Sequence, residues 1–120
     1  MEKVNIADKF ALFTETWTPK IIAQVDGYLI KAVKISGEFV WHKHDFEDEL
    51  FMVIDGTMEM RFRDHTITVE KGEMITVPKG IEHAPYAEIE CQVLVFERES
   101  VINTGDADAL DRRQDNLERI

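Results

Sequence analysis

The stretch Trp41-His42-Lys43-His44 sets two imidazoles two residues apart. In an extended segment, period-two alternation turns both to one face, where they could share one ion. The pair alone equally suits two hydrogen-bonded histidines, so the rest of the constellation decides. A carboxylate, Glu49, follows His44 after four residues, and His83 comes downstream of Gly72, Pro78 and Gly80. A bend after His44 with a return strand starting at Glu49 would bring that carboxylate to the imidazoles, and His83 would arrive from a later hairpin. On spacing alone Asp45, Glu47 and Asp48 compete with Glu49. Three imidazoles and one carboxylate suit a divalent transition ion such as iron, manganese, zinc or nickel. Four protein ligands leave an octahedral ion two open positions, enough for a bidentate substrate or for substrate plus water or dioxygen. A redox metal would support dioxygen chemistry, whereas zinc or manganese would polarise a carbonyl for isomerisation, epimerisation or lyase reactions.

Such a site needs strands to hold it, and the chain supplies their pattern. Short apolar runs are separated by Gly, Pro and Asp signals, which predicts strands at residues 21–25, 28–35, 39–44, 50–54, 57–63, 66–69, 74–77 and 89–96. Asp26-Gly27 and Asp55-Gly56 are hairpin turns by composition, with glycine expected to supply the positive φ. Many short strands at this spacing predict an all-β sandwich or barrel. Ahead of them, Ile6, Phe10 and Phe13 recur at helical spacing behind Asn5, an N-cap with Asp8 in the first turn. This predicts a short helix over 6–13 that plugs one end of the fold. The stretch from Gly105 to Ile120 is strongly charged, with Leu110, Leu117 and Ile120 as apolar anchors. Its composition is compatible with a cover over the barrel mouth, a swap with a partner or a mobile end.

Composition narrows the partners. The 120 residues carry 14 Lys plus Arg against 24 Asp plus Glu, a net charge of −10, which argues against binding a phosphate backbone. No apolar run approaches the roughly 20 residues of a membrane helix, and Met1-Glu2-Lys3-Val4 lacks the order of a signal peptide. One cysteine, Cys91, forbids an intramolecular disulfide and fits a reducing compartment. The expectation is one domain over 1–120, cytoplasmic, with a small-molecule ligand and neither nucleic acid nor membrane as partner.

The residues around the histidines resemble those of a small single-domain cupin of the conserved-barrel type. The first motif of that family runs Gly, five residues, His-x-His, three or four residues, Glu, six residues, Gly. Here it reads Gly37, four residues, His42-Lys43-His44, four residues, Glu49, six residues, Gly56, so the opening gap is one short. The second runs Gly, five residues, Pro-x-Gly, two residues, His, three residues, Asn. It reads Gly72, five residues, Pro78-Lys79-Gly80, two residues, His83, three residues, and then Ala87 in place of Asn. The resemblance implies a cupin fold, a jelly-roll-like β-barrel, with one metal on His42, His44, Glu49 and His83. It also implies a homodimer, and either an oxygenase, isomerase, epimerase or lyase or a metal-dependent binding or sensing module without turnover.

Glu49 and Tyr86 are the candidate catalytic residues, with Glu73 and Glu82 as further proton carriers. Phe51 and Val53 share the Glu49 face and are candidate pocket walls. His65, beside Asp64, reads as a hairpin residue, and Arg61 and Arg63 read as solvent-facing. Cys91 reads as a buried inert thiol. Met52, Met58, Met60 and Met74 read as core filling.

Overall fold

Alternating apolar residues build an antiparallel sheet whose apolar faces close on themselves, as a computed structural model describing residues 1–120 places them. A helix, α1 (Ile6–Phe10), precedes seven strands: β1 (Lys20–Val25), β2 (Tyr28–Glu38), β3 (Glu49–Asp55), β4 (Thr57–Phe62), β5 (Thr66–Glu70), β6 (Met74–Val77) and β7 (His83–Arg98). The sheet runs β1-β2-β7-β3-β6, while β4 pairs with β5 and with the start of β7. β7 is the hub. Its first residues, His83 to Tyr86, pair with β4, and its later ones pair with β2 on one side and β3 on the other. One long strand shared by three neighbours bends the sheet into the all-β, jelly-roll-like barrel expected.

Inward positions of six strands fill the interior: Val33 and Ile35, Phe51 and Val53, Met58 and Met60, Val69, Val77, and Ala87 with Cys91, Val93 and Val95 are all buried in one cluster. The opposite face of the sheet carries Ile22, Ala32 and Leu94, and against it pack Phe10 and Phe13. The helix therefore covers an outer face of the sheet instead of plugging an end. Its cap is as expected, with the Asp8 amide donating to the Asn5 side chain at 2.9 Å, but regular helix stops at Phe10 and Phe13 packs from the turn beyond.

Two strand expectations need correction. Residues 39–44 do not form a strand; they touch the sheet at a single bridge, His42 opposite His83. The last strand starts at His83, not at residue 89, and runs 16 residues. Pro85 hid this extension, because proline ordinarily argues against a strand interior. Here its missing donor is tolerated while its carbonyl still accepts from the Phe39 amide at 3.2 Å. In the first hairpin the positive φ falls on Asp26 (51°) and not on Gly27, whereas Gly56 between β3 and β4 has the expected positive value of 90°.

The C-terminal segment lies on the barrel. The amide of Asp106 donates to the Lys43 carbonyl at 3.1 Å, the Asp106 carboxylate accepts from the Lys43 amide at 2.8 Å, and Arg119 bridges to Ile21. No helix is long and apolar enough to cross a membrane.

Candidate functional site

The single bridge at residue 42 explains how a non-strand segment delivers two imidazoles. His42 and His83 exchange both backbone hydrogen bonds, at 3.0 and 2.8 Å, so their side chains leave the same face and their rings lie 4.4 Å apart. Two residues on, His44 reaches the same space, its carbonyl held by the Gly80 amide at 2.8 Å. Glu49 opens β3 with the parity of Phe51 and Val53 and so points inward. The ligand atoms of His42, His44, Glu49 and His83 all lie within 4.8 Å of one another, and all four residues are buried. Asp45 and Asp48 are exposed and Glu47 is half-buried, so the structure brings in only Glu49 of the competing acids.

The donor chemistry of this cluster fits a cation. His42 Nδ1 sits 2.9 Å from the Val40 carbonyl and His83 Nδ1 sits 2.9 Å from the Ile81 carbonyl, geometry that assigns the N–H to Nδ1 in His42 and leaves its Nε2 lone pair free, while His83 Nε2 lies 3.2 Å from Glu49 Oε1. His44 Nε2 is fully buried without a hydrogen-bond partner, although Glu49 Oε1 lies only 2.8 Å away. A buried ring nitrogen that crowds a carboxylate without the angle of a hydrogen bond is what a shared ion between them would require. Burial, reinforced by the neighbouring His83, lowers His42 to a pKa of about 4, so it presents a neutral imidazole. Burial alone would push Glu49 up, but the neighbouring Glu97, His44 and His83 side chains outweigh it and hold this carboxyl well below the usual range.

Beside the cluster opens a cavity of about 540 Å³ of atom-free space, its open mouth included, and His42 and Glu49 form part of its wall. Phe51 lines it as expected; Val53 belongs to the core beneath. Two lining residues escaped the sequence reading. Lys31 and Glu97, 2% and 4% exposed in their side chains, pair at 2.7 Å inside the barrel. Burial, and then the adjacent Glu49 carboxylate, pushes Glu97 well above the ordinary carboxyl range. The signal for both was available: Lys31 keeps the inward parity of Val33 and Ile35, and Glu97 that of Val93 and Val95. A charged residue at an inward position of an apolar strand needs a partner, and a Lys and a Glu both so placed are natural ones.

Tyr86 is not brought to the site. It lies on the alternate face of β7 from His83 and Pro85, with the Arg61 guanidinium 4.1 Å above its ring, and it lines no part of the cavity. Glu73 and Glu82 are likewise exposed, Glu73 accepting from the Glu70 amide and Glu82 pairing with Arg63. Arg63 faces outward as expected, and Arg61 packs over Tyr86 on the outside of β4. His65 sits exposed against Asp64 at 2.7 Å, and Cys91 is a buried thiol pushed up to about 11 by burial.

Comparison with known proteins agrees with this fold. Residues 30–97, more than half of the chain, match the Cupin_2 family, described as a cupin domain. A cupin-2 domain containing protein from Shewanella frigidimarina is similar at 47% identity and a TM-score of 0.80, over 80% of this chain and 94% of that one. Protein NMB1881 from Neisseria meningitidis is similar at 32% identity and a TM-score of 0.74, over 82% and 100% of the two chains. The uncharacterized protein YdbB of Bacillus subtilis is 32% identical over 63 residues, 52% of this chain and 56% of that protein's length. With its barrel, its two glycine-framed histidine motifs and this match, the chain belongs to the cupin family.

Proposed function

We propose that His42, His44, Glu49 and His83 hold one divalent transition-metal ion, and that the protein is a metal-dependent enzyme acting on a small molecule bound in the adjoining cavity. The observation that carries this is the unpartnered, buried His44 Nε2 set within 4.8 Å of two imidazoles and a carboxylate. A bare cluster of this kind would leave a polar nitrogen unsatisfied at a cost of about 1–3 kcal/mol, and a cation removes that cost. Iron, manganese, zinc and nickel all accept this ligand set. The ion would supply Lewis acidity, or dioxygen chemistry if it is redox-active, which corresponds to isomerase, epimerase or lyase reactions in the first case and to a dioxygenase in the second.

The chain's own residues define the rest. Val40 and Ile81 hold two imidazoles in the ligating tautomer through their carbonyls. Mostly apolar walls line the cavity. Glu97 is the one lining carboxyl outside the ligand set, and it stands where a proton could pass to or from a bound molecule. Glu49 serves as ligand.

Metal content of protein purified without chelator or metal-affinity resin, beside the His42→Ala variant, tests the reading. About one equivalent in the wild type and little in the variant is expected. Iron would direct substrate screens to dioxygen uptake, and zinc, manganese or nickel to carbonyl chemistry. No metal in either protein after reconstitution refutes the proposal, and a metal-dependent ligand that is bound tightly but never converted would make the protein a binding or sensing module.

A further inference from the structure

The hydrogen-bonding inventory of the cavity is nearly closed before any ligand enters. Asn103 spends both amide atoms on the chain, donating to the Arg112 carbonyl at 2.8 Å and accepting from the Gln114 amide at 2.8 Å. Trp17 Nε1 donates to the Ser36 carbonyl at 2.8 Å. Lys31 and Glu97 are paired with each other, and His42 Nδ1 is spent on Val40. What remains is confined to one charged corner: Glu97 Oε2, buried without a partner beside Glu49, and the two N–H groups that Lys31 Nζ keeps beyond its bond to Glu97. The other walls, Val33, Ile35, Phe51, Met58, Val93 and Val95, are apolar, and half-buried Trp17 and Phe39 stack at 4.8 Å with a 19° interplanar angle. The Arg112 guanidinium, brought by the C-terminal segment, lies 4.9 Å from the Phe39 ring and donates to the Glu38 carbonyl, which fixes this aromatic pair from outside.

Resting on the proposed metal site, we infer that the ligand is a compact aromatic or branched apolar molecule with a single chelating head, and not a sugar or other polyol. The two oxygens of the head would meet an ion held by His42, His44, Glu49 and His83, and the body would lie between the valine walls and the Trp17–Phe39 stack. Every additional hydroxyl on the body would be stripped of water with almost nothing to bond, at a cost of about tenfold or more in affinity each. An apolar body gains from the same transfer.

Two α-hydroxy acids with the same chelating head test this: mandelate, whose body is a phenyl ring, and glycerate, whose body is a hydroxymethyl group. Titrated calorimetrically into nickel-loaded protein, mandelate binds about tenfold or more tighter than glycerate. Trp17→Ala narrows that gap by weakening mandelate more than glycerate. Glycerate binding as tightly as mandelate overturns the inference with the metal site intact, and so does a gap that Trp17→Ala does not move. If the protein takes up no nickel, the metal reading fails separately. Phenol and glycerol on the metal-free protein then decide: saturation-transfer NMR detecting phenol but not glycerol, with the phenol signal weakened by Trp17→Ala, upholds an apolar ligand, and any other pattern overturns it.

Discussion

Replacing Gly105 by alanine probes whether the C-terminal segment is part of the site. Gly105 has φ of 54° and packs so closely on the histidine segment that an added Cβ would overlap the Lys43 carbonyl oxygen and lie 2.9 Å from Cδ2 of His42. The left-handed conformation costs an alanine about 1–2 kcal/mol. The overlap with backbone cannot be relieved by a rotamer, so the segment must move away, giving up the paired hydrogen bonds between Lys43 and Asp106 at about 1 kcal/mol each. The expected loss is about 3–4 kcal/mol in urea unfolding. Gly72→Ala is the control, because Gly72 has φ of 84° with nothing within 4 Å of an added Cβ, so it bears only the conformational part. The two variants should therefore differ by about 2 kcal/mol. Competition with a chelator should show metal affinity about 10–100-fold lower in Gly105→Ala and unchanged in Gly72→Ala, since displacement of His42 spoils a ligand. Equal stability losses in the two variants, or unaltered metal affinity in Gly105→Ala, would refute the claim that this segment braces the site.

Two further outcomes follow from the buried charges. Lys31→Met strands the carboxyl of Glu97 beside Glu49 and should cost about 3–5 kcal/mol, while adding Glu97→Leu should recover most of it; a double variant no more stable than the single one in urea would contradict the pairing. In metal-free protein, His42 has a folded pKa of about 4 against the ordinary 6.5, so the unfolded chain takes up the proton first as pH falls and the stability His42 contributes is lost between pH 6.5 and 4. Measured against His42→Gln, which keeps Glu49 and Glu97 in both proteins, the wild-type advantage should shrink by about 3 kcal/mol over that range. A constant difference would mean that His42 is solvated.

Much of the site was legible in the residues. The three histidines were named from type and spacing and Glu49 through the resemblance to the family motif, and the barrel brings the four together, because strand alternation and glycine-framed turns act locally and leave a readable period. The apolar inward faces of β2, β3, β4 and β7 followed from the same alternation. Pro85 misled the boundary of β7, since a local rule cannot know that the neighbouring segment at Phe39 needs only the proline carbonyl.

Three features depended on tertiary structure. Glu49 was one acid among four until β3 turned it inward and left Asp45 and Asp48 in solvent. Tyr86, three residues after His83, was separated from the site by one step of strand parity and the Arg61 guanidinium. Lys31 and Glu97, 66 residues apart, became a pair only when β2 met β7, Asn103 in the stretch after β7 became a wall of the cavity, and the charged C-terminal segment became a brace through Gly105. Ligand identity was local in this chain because the motif carries it. Cavity chemistry was not, because it is set by which distant strands lie side by side and by whose polar atoms are already spent on one another.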